Sequence, residues 1–242
     1  MTTRLVPVNG RTRSNLTIAE PDGTVTKLNE PGSALSPGDY SVLATVLAGL
    51  VSAHDWVVFS GSIPPECSAA QLVELMTSVT DLGASLAVDT SGDALTASIS
   101  ARPRVIKPNR AELAEAVGRE LDSISDVIVA AEELRALGVE RVLVSLGADG
   151  AVLVSEHGAI VGESTVLEWR STVGAGDCFL AGFLSKFSAD ESDEDAALVE
   201  ALAWGAAAVS LPGTSVPGPG DIAHTNVHLV WQPDLDRPLV AT

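Results

Sequence analysis

The sequence predicts an α/β fold with a mainly parallel sheet covered by helices on both faces, and three observations carry that prediction. Short, wholly apolar segments such as Trp56-Val57-Val58-Phe59 and Leu86-Ala87-Val88 alternate with longer helix-like stretches. Strands read this way when neither of their faces meets water. Polar or glycine-bearing residues follow the apolar segments at once, as in Ser60-Gly61-Ser62 and Asp89-Thr90-Ser91-Gly92. In open parallel sheets ligands bind beyond the carboxyl ends of the strands, so those residues mark where chemistry is expected. Finally, 46% of the 242 residues are hydrophobic, enough to bury a sizeable core.

Taken in order, Ser14 to Glu20 alternates polar and apolar residues, Pro21-Asp22-Gly23-Thr24 is a turn signal, and Val25 to Leu28 resumes the extended pattern. This is a β-hairpin with one apolar face, which needs a covering sheet, chain or ligand because an isolated hairpin is barely stable. Ser36 followed by Pro37 starts a helix that runs to about Ala53. After the strand Trp56–Phe59, a helix near Ala69–Asp81 leads into a strand at Ser85–Asp89. Val105-Ile106 is a third strand of the parallel set, followed by helical stretches at Arg110–Val117 and Asp126–Leu137. Arg141–Leu146 is the fourth strand, and Ala151–Val154 opens a hairpin. Two helices near Gly176–Phe187 and Asp193–Ser210 complete the pattern, and Thr225–Thr242 has too weak a period to assign.

Charge and cysteine usage exclude several classes of function. The 32 acidic residues outnumber 14 basic ones, for a formal charge of −18. That field repels nucleic acid and anionic membranes, although a few arginines suffice for a local phosphate pocket. Cys67 and Cys178 form neither a metal-ligand spacing nor a disulfide framework. No apolar run approaches the ~20 residues of a membrane span, and Met1-Thr2-Thr3-Arg4 opens no signal peptide. The expectation is a cytoplasmic protein.

The sharpest chemical signal is Ser171-Thr172-Val173-Gly174-Ala175-Gly176-Asp177, followed at once by an amphipathic helix. Glycines let the backbone turn tightly and leave its N–H groups open. A helix start adds free amides and a positive dipole end, both suited to phosphate. Asp177 there can take the proton of a hydroxyl nucleophile held beside that phosphate; read blandly, it is an acidic cap after a glycine turn. The segment lacks the Gly-Lys-Ser/Thr of a P-loop, and no Gly-x-Gly-x-x-Gly fingerprint follows the first strand.

This segment resembles the Gly-Ala-Gly-Asp signature of the ribokinase-like, phosphofructokinase B-type sugar kinases. Five more segments agree with that family in order and spacing: Gly10-Arg11-Thr12-Arg13-Ser14-Asn15, Ser60-Gly61-Ser62-Ile63-Pro64-Pro65, Asp89-Thr90-Ser91-Gly92, Lys107-Pro108-Asn109-Arg110-Ala111-Glu112 and Ser145-Leu146-Gly147-Ala148-Asp149-Gly150. The resemblance covers about Asn9 to Thr214 and implies a three-layer α/β/α sandwich with a small β-sheet lid. By it, residues 1–32 are the remaining part of the lid and 33–242 the nucleotide-binding and catalytic domain.

The same resemblance implies roles for single residues. Asp177 would be the catalytic base, and the amides of Gly174, Ala175 and Gly176 would stabilise charge on the transferred phosphoryl group. Arg13, ahead of Arg11, would hold the substrate's phosphate through its guanidinium fork, with Asn15 and Ser62 bonding sugar hydroxyls or phosphate. ATP would meet Lys107, Asn109, Ser145, Gly147, Gly150 and Ala206. Glu112 would hold Mg²⁺ through waters, although Asn109 and Glu112 also read as a helix capping pair. Carbonyls near Ser171, Val173 and Gly213 would hold a monovalent cation such as K⁺ in some relatives.

Ahead of the hairpin, relatives carry an initial strand with a substrate-binding aspartate and a Gly-Gly-x-x-x-Asn segment, and nothing before Asn9 matches either. Two readings follow: a truncated frame whose start lies upstream, or a decayed gene product that binds nucleotide without turnover. Cys178 also stands where serine is commoner. The substrate implied is fructose 1-phosphate, phosphorylated at its 6-hydroxyl by ATP, with tagatose-6-phosphate and fructose-6-phosphate kinases as the alternatives. A homodimer, with two lids covering each other, is expected of the complete enzyme.

Overall fold

The computed structural model describes residues 3–19, 25–166 and 168–240. Strands β1 (Asn15–Ala19) and β2 (Val25–Asn29) pair antiparallel as a separate two-stranded sheet, with Leu16 opposite Leu28 and Ile18 opposite Thr26. The expected turn at Pro21–Thr24 lies outside the described residues. Leu16, Ile18 and Leu28 are all exposed, so the hairpin's apolar face is uncovered within this chain.

The main sheet has the strand order β3 (Trp56–Ser60), β4 (Ser85–Asp89), β5 (Val105–Ile106), β6 (Arg141–Ser145), β7 (Ala151–Ser155), β8 (Gly158–Thr165), β9 (Asn226–Leu229). β3 to β6 run parallel, each linked to the next by a helical crossover. β7, β8 and β9 continue the sheet antiparallel. Ser155 pairs with Gly158, leaving only Glu156-His157 at the bend, and so short a link cannot carry a parallel crossover. β9 falls in the stretch the sequence left unassigned; it is a four-residue edge strand that is only half buried, so its period is faint.

Side chains alternate across the sheet and build a core on each face. Leu86, Val88, Ile106, Val142 and Val144 point to one side. There they pack under α2 (Ala69–Asp81), α3 (Gly92–Ser98), α4 (Arg110–Val117) and α5 (Ile124–Ala136). Ala87, Val105, Leu143, Ala151 and Leu153 point to the other, under α6 (Ala175–Phe187) and α7 (Glu194–Val209). This is the α/β/α sandwich expected. Trp56 lies edge-on to Phe187 with ring centroids 5.9 Å apart, packing against the core beneath α6. A short α8 (Pro219–Ala223) precedes β9.

Helix starts follow the side chains that can cap them. Ser36 with Asp39, Ser68 with Gln71, Asn109 with Glu112 and Ser123 with Asp126 each form reciprocal capping boxes. The last of these starts α5 at Ile124, ahead of the expected Asp126. Helix α1 (Pro37–Leu50) buries none of its residues and stops short of Ala53, and its neighbour β3 is an outer strand of the sheet with Val58 exposed. No helix among the described residues is long and apolar enough to cross a membrane.

Candidate active site

The carboxyl ends of the parallel strands and the start of α6 converge. The residue after β3, Gly61, has φ +91° and its amide donates to the Asp89 carbonyl at 2.9 Å, while the Thr90 hydroxyl donates to the Gly61 carbonyl at 2.9 Å. The Ser60–Pro64 loop is thereby tied to the end of β4. Asp89 in turn meets Lys107, just beyond β5, with Oδ1 and Nζ 3.0 Å apart. Lys107 is only 5% exposed, so this ammonium is held in place rather than free on the surface.

Lys107 also touches the glycine signature. A Cβ on Gly176 would stand 3.4 Å from Lys107 Nζ, so a bare glycine lets the ammonium approach the first turn of α6. Gly174 caps that helix in the left-handed region, φ +77°, without a side-chain cap bond. The Ala175 amide closes a long turn to the Thr172 carbonyl at 3.4 Å, while the next first-turn amides have no acceptor within the helix. Asp177 lies in the first turn after this cap, exposed, so it is not the cap itself. A buried ammonium and a helix start thus direct positive potential to one place, with a carboxylate at its rim.

Burial pushes the Asp89 carboxyl above its usual range; Lys107 pulls it part of the way back and the nearby Asp177 charge adds to the rise. Desolvation therefore outweighs the ion pair. Cys178, partly buried beside Asp177, has its thiol pushed up by burial first and by that charge second. The thiol is consequently less reactive than a free cysteine at neutral pH.

Two cavities lie at this end of the sheet, one against the first turn of α6 and one against the Ser60–Pro64 loop. One, of about 190 Å³, lies between the Ser145–Gly150 turn, the end of β8, the first turn of α6 and the last turns of α7. Ser145, Gly147, Gly150, Ala175, Gly176 and Ala206 all line it, so the structure gathers six expected site residues from three distant segments. Its walls are mostly small or apolar, with Phe179 and Val209 among them and Trp169 at an exposed margin. The sequence did not single out those three. Phe179 and Val209 are indistinguishable from packing residues in a helical pattern, and Trp169 lies in an aperiodic loop.

The other cavity, of about 630 Å³, is open and lined by Arg11, Arg13, Ser33, Ser62 and Pro64 beside the apolar stretch Leu5–Val8. Arg13 and Ser62 are therefore brought together, and Arg13 forms no ion pair with the described residues. Arg11 is bound to Glu30 at 2.6 Å, which leaves Arg13 the better placed of the two for an anion. Asn15 does not line this cavity; it opens β1 opposite Asn29, exposed.

Asn109 and Glu112 lie at the start of α4, and Asn109 bridges to Ser145 of the smaller cavity's wall. Asn109 Oδ1 accepts from the Glu112 amide at 2.9 Å and Glu112 Oε2 accepts from the Asn109 amide at 2.8 Å. The capping role is thus realised, with one carboxylate oxygen of Glu112 uncommitted. No group of three or more His, Cys, Asp or Glu side chains suited to a metal occurs among the described residues. A cation carrying most of its ligands as waters and phosphate oxygens fits such a sparse donor set. Ser171 Oγ donates to the Gly213 carbonyl at 2.7 Å, bringing together the two segments read as a cation site.

Residues 2–219 match the model of a family described as pfkB family carbohydrate kinase. The chain is 42% identical over 177 residues to a 1-phosphofructokinase of Rhodobacter capsulatus, covering 72% of this chain and 56% of that protein. It is 35% identical over 230 residues to the 1-phosphofructokinase of Escherichia coli (strain K12), covering 95% and 73%. Among solved structures, phosphofructokinase-2 from Escherichia coli in complex with potassium superposes with a TM-score of 0.83 at 30% identity, over 89% of this chain and 70% of that one.

Proposed function

Because the chain belongs to the pfkB family of carbohydrate kinases, we propose that it transfers the γ-phosphoryl group of ATP to the 6-hydroxyl of fructose 1-phosphate, giving fructose 1,6-bisphosphate and ADP. The observation that carries this reading is the approach of buried Lys107 to the Gly174–Gly176 helix start, beside the small-walled cavity that Ala175 and Gly176 line, with Asp177 in the same first turn. The names of the 35–42% identical relatives favour fructose 1-phosphate among phosphosugars.

In this reading the adenine enters the small-walled cavity beside Ala206, and the phosphates run over the first turn of α6. Arg13 and Ser62 hold the sugar phosphate, and Asp177 accepts the proton of the attacking hydroxyl as its oxygen bonds to phosphorus and the bond to ADP breaks. Lys107 and the first-turn amides stabilise the charge on the moving group. Magnesium, held with Glu112 through waters, would neutralise phosphate charge; a monovalent cation near the carbonyls of Ser171, Val173 and Gly213 belongs to the same proposal.

Competition among fructose 1-phosphate, tagatose 6-phosphate and fructose 6-phosphate tests the substrate, and the highest kcat/KM is expected for the first. Turnover of unphosphorylated ribose alone would sink the phosphosugar assignment. The favoured alternative is fructose 6-phosphate, since a phosphofructokinase-2 from Escherichia coli solved in complex with fructose-6-phosphate also superposes, at 30% identity.

A homodimer in which two hairpins cover each other would bury Leu16, Ile18 and Leu28. Leu16→Asp with Ile18→Asp should convert dimer to monomer in sedimentation and lower activity. An unaltered chain that is monomeric and fully active would refute the lid pairing.

A further inference from the structure

We propose that the C-terminal segment 234–240 is a strap that sets the shape of the nucleotide cavity, with Arg237 as its positioning residue. This rests on the nucleotide reading of that cavity and adds a segment that no motif of the sequence marked.

The strap grips two walls of the cavity at once. Asp149, in the turn whose backbone lines the cavity, is 4% exposed and points away from it. Its Oδ1 accepts from Arg237 Nη1 at 2.9 Å and its Oδ2 from the Val240 amide at 2.7 Å. The other arm of Arg237 donates to Glu163 Oε1 at 3.3 Å, on β8 one residue before Ser164 of the opposite wall. These two walls already touch without slack: a Cβ on Gly150 would fall 2.1 Å from the Gly162 carbonyl oxygen. One guanidinium therefore bridges the turn and the neighbouring strand, both of which contribute residues to the cavity lining.

The strap is also anchored away from the cavity, on the start of α4 and the loop into α5. The Ser125 amide donates to the Leu235 carbonyl, and Leu239, buried at 8%, donates its amide to the Asp122 carbonyl, both at 2.9 Å. Arg110, next to Asn109, donates to the Val240 carbonyl at 3.0 Å. Segment 234–240 thus ties α4, the Gly147–Gly150 turn and β8 into one frame. A buried carboxylate that loses a charged partner is left under-satisfied and must turn toward water or another donor. A shift of the turn that lines the cavity would meet that need.

The test is calorimetric titration of the full chain with ATP. Arg237→Ala should bind about tenfold more weakly, the scale set by losing one charge-assisted bond to a buried group. Arg237→Lys, which can still reach Asp149, should recover most of that affinity. Arg104→Ala serves as the control for general loss of stability. It removes a bidentate pair with Glu191, near the amino ends of the strands, and should leave ATP affinity unchanged. Unaltered affinity in Arg237→Ala, or equal weakening in Arg104→Ala, would overturn the strap while leaving the nucleotide site intact. Absence of ATP binding by the unaltered chain, titrated first, would overturn the nucleotide reading and the strap with it.

Discussion

Asp177→Ala is expected to lower the kcat of phosphoryl transfer by about a thousandfold, within the range general-base catalysis contributes, while ATP binds as before or slightly more tightly. The two halves of this expectation have separate causes. Asp177 stands in the first turn of α6, exposed and without a capping duty, so removing it takes away no structural bond at the helix start. Its charge is felt at Asp89, whose carboxyl it helps to push up, so the local field becomes less negative without it. A polyphosphate would be repelled less, not more. Single-turnover phosphorylation of fructose 1-phosphate, alongside ATP titration of the same variant, separates chemistry from binding. Retention of more than about a tenth of the rate would place the base elsewhere, given the usual contribution of such a group. A parallel collapse of ATP affinity would instead show that the carboxylate organises the helix start.

The lysine beside this carboxylate sharpens the point. Lys107 is buried, paired to Asp89 and in contact range of Gly176, so its ammonium is oriented before any ligand arrives. Charge stabilisation by a fixed group costs no reorganisation during the reaction.

Much of this site was legible because the Gly174–Asp177 turn stands out locally and its resemblance to a family signature pointed to the other residues. The strands β3 to β6, their polar ends and the Gly174–Asp177 helix start all followed from local chemistry, and the fold then gathered Ser145, Gly147, Gly150, Gly176 and Ala206 around one cavity. Arg13 and Ser62 also met, although Asn15 did not join them. Other features were silent for physical reasons. Helix α3 begins at Gly92, and Ser91 before it makes no side-chain cap bond, so no capping box announced it. The antiparallel turn of the sheet after β6 was half visible, as a hairpin opening at Ala151, but β9 is short and joins from 60 residues beyond the end of β8, by way of α6, α7 and α8. The strap at 234–240 carries no period at all, because its role rests on single hydrogen bonds rather than on a repeating face.

The largest stability effect should come from the opposite end of the sheet, at Glu194. Arg141 opens β6 and Glu194 opens α7; they pair at 2.7 Å with both side chains almost fully buried. Ser155 of β7 donates to the second oxygen of Glu194 at 2.6 Å, so both carboxylate oxygens are engaged. Arg141 lies over the Phe187 ring at 4.6 Å, with Glu140 as its only other carboxylate partner among the described residues, at 3.0 Å. Glu194→Ala would leave a buried guanidinium short of its main counter-charge and a buried hydroxyl without its acceptor. The cost expected is about 3–5 kcal/mol, or a fall in Tm of roughly 10 °C for a chain of this size. The ion pair need not be worth that much as an attraction, since desolvation cancels much of the gain. Replacing both partners together, Arg141→Met with Glu194→Leu, should therefore restore most of the lost stability. Thermal unfolding of the two single variants and the double variant decides the matter. A Tm within about 3 °C of the parent for Glu194→Ala would mean that water reaches Arg141 and the pair is not truly buried. Because this cluster sits at the amino ends of the strands, ATP affinity should be the same in every variant that remains folded.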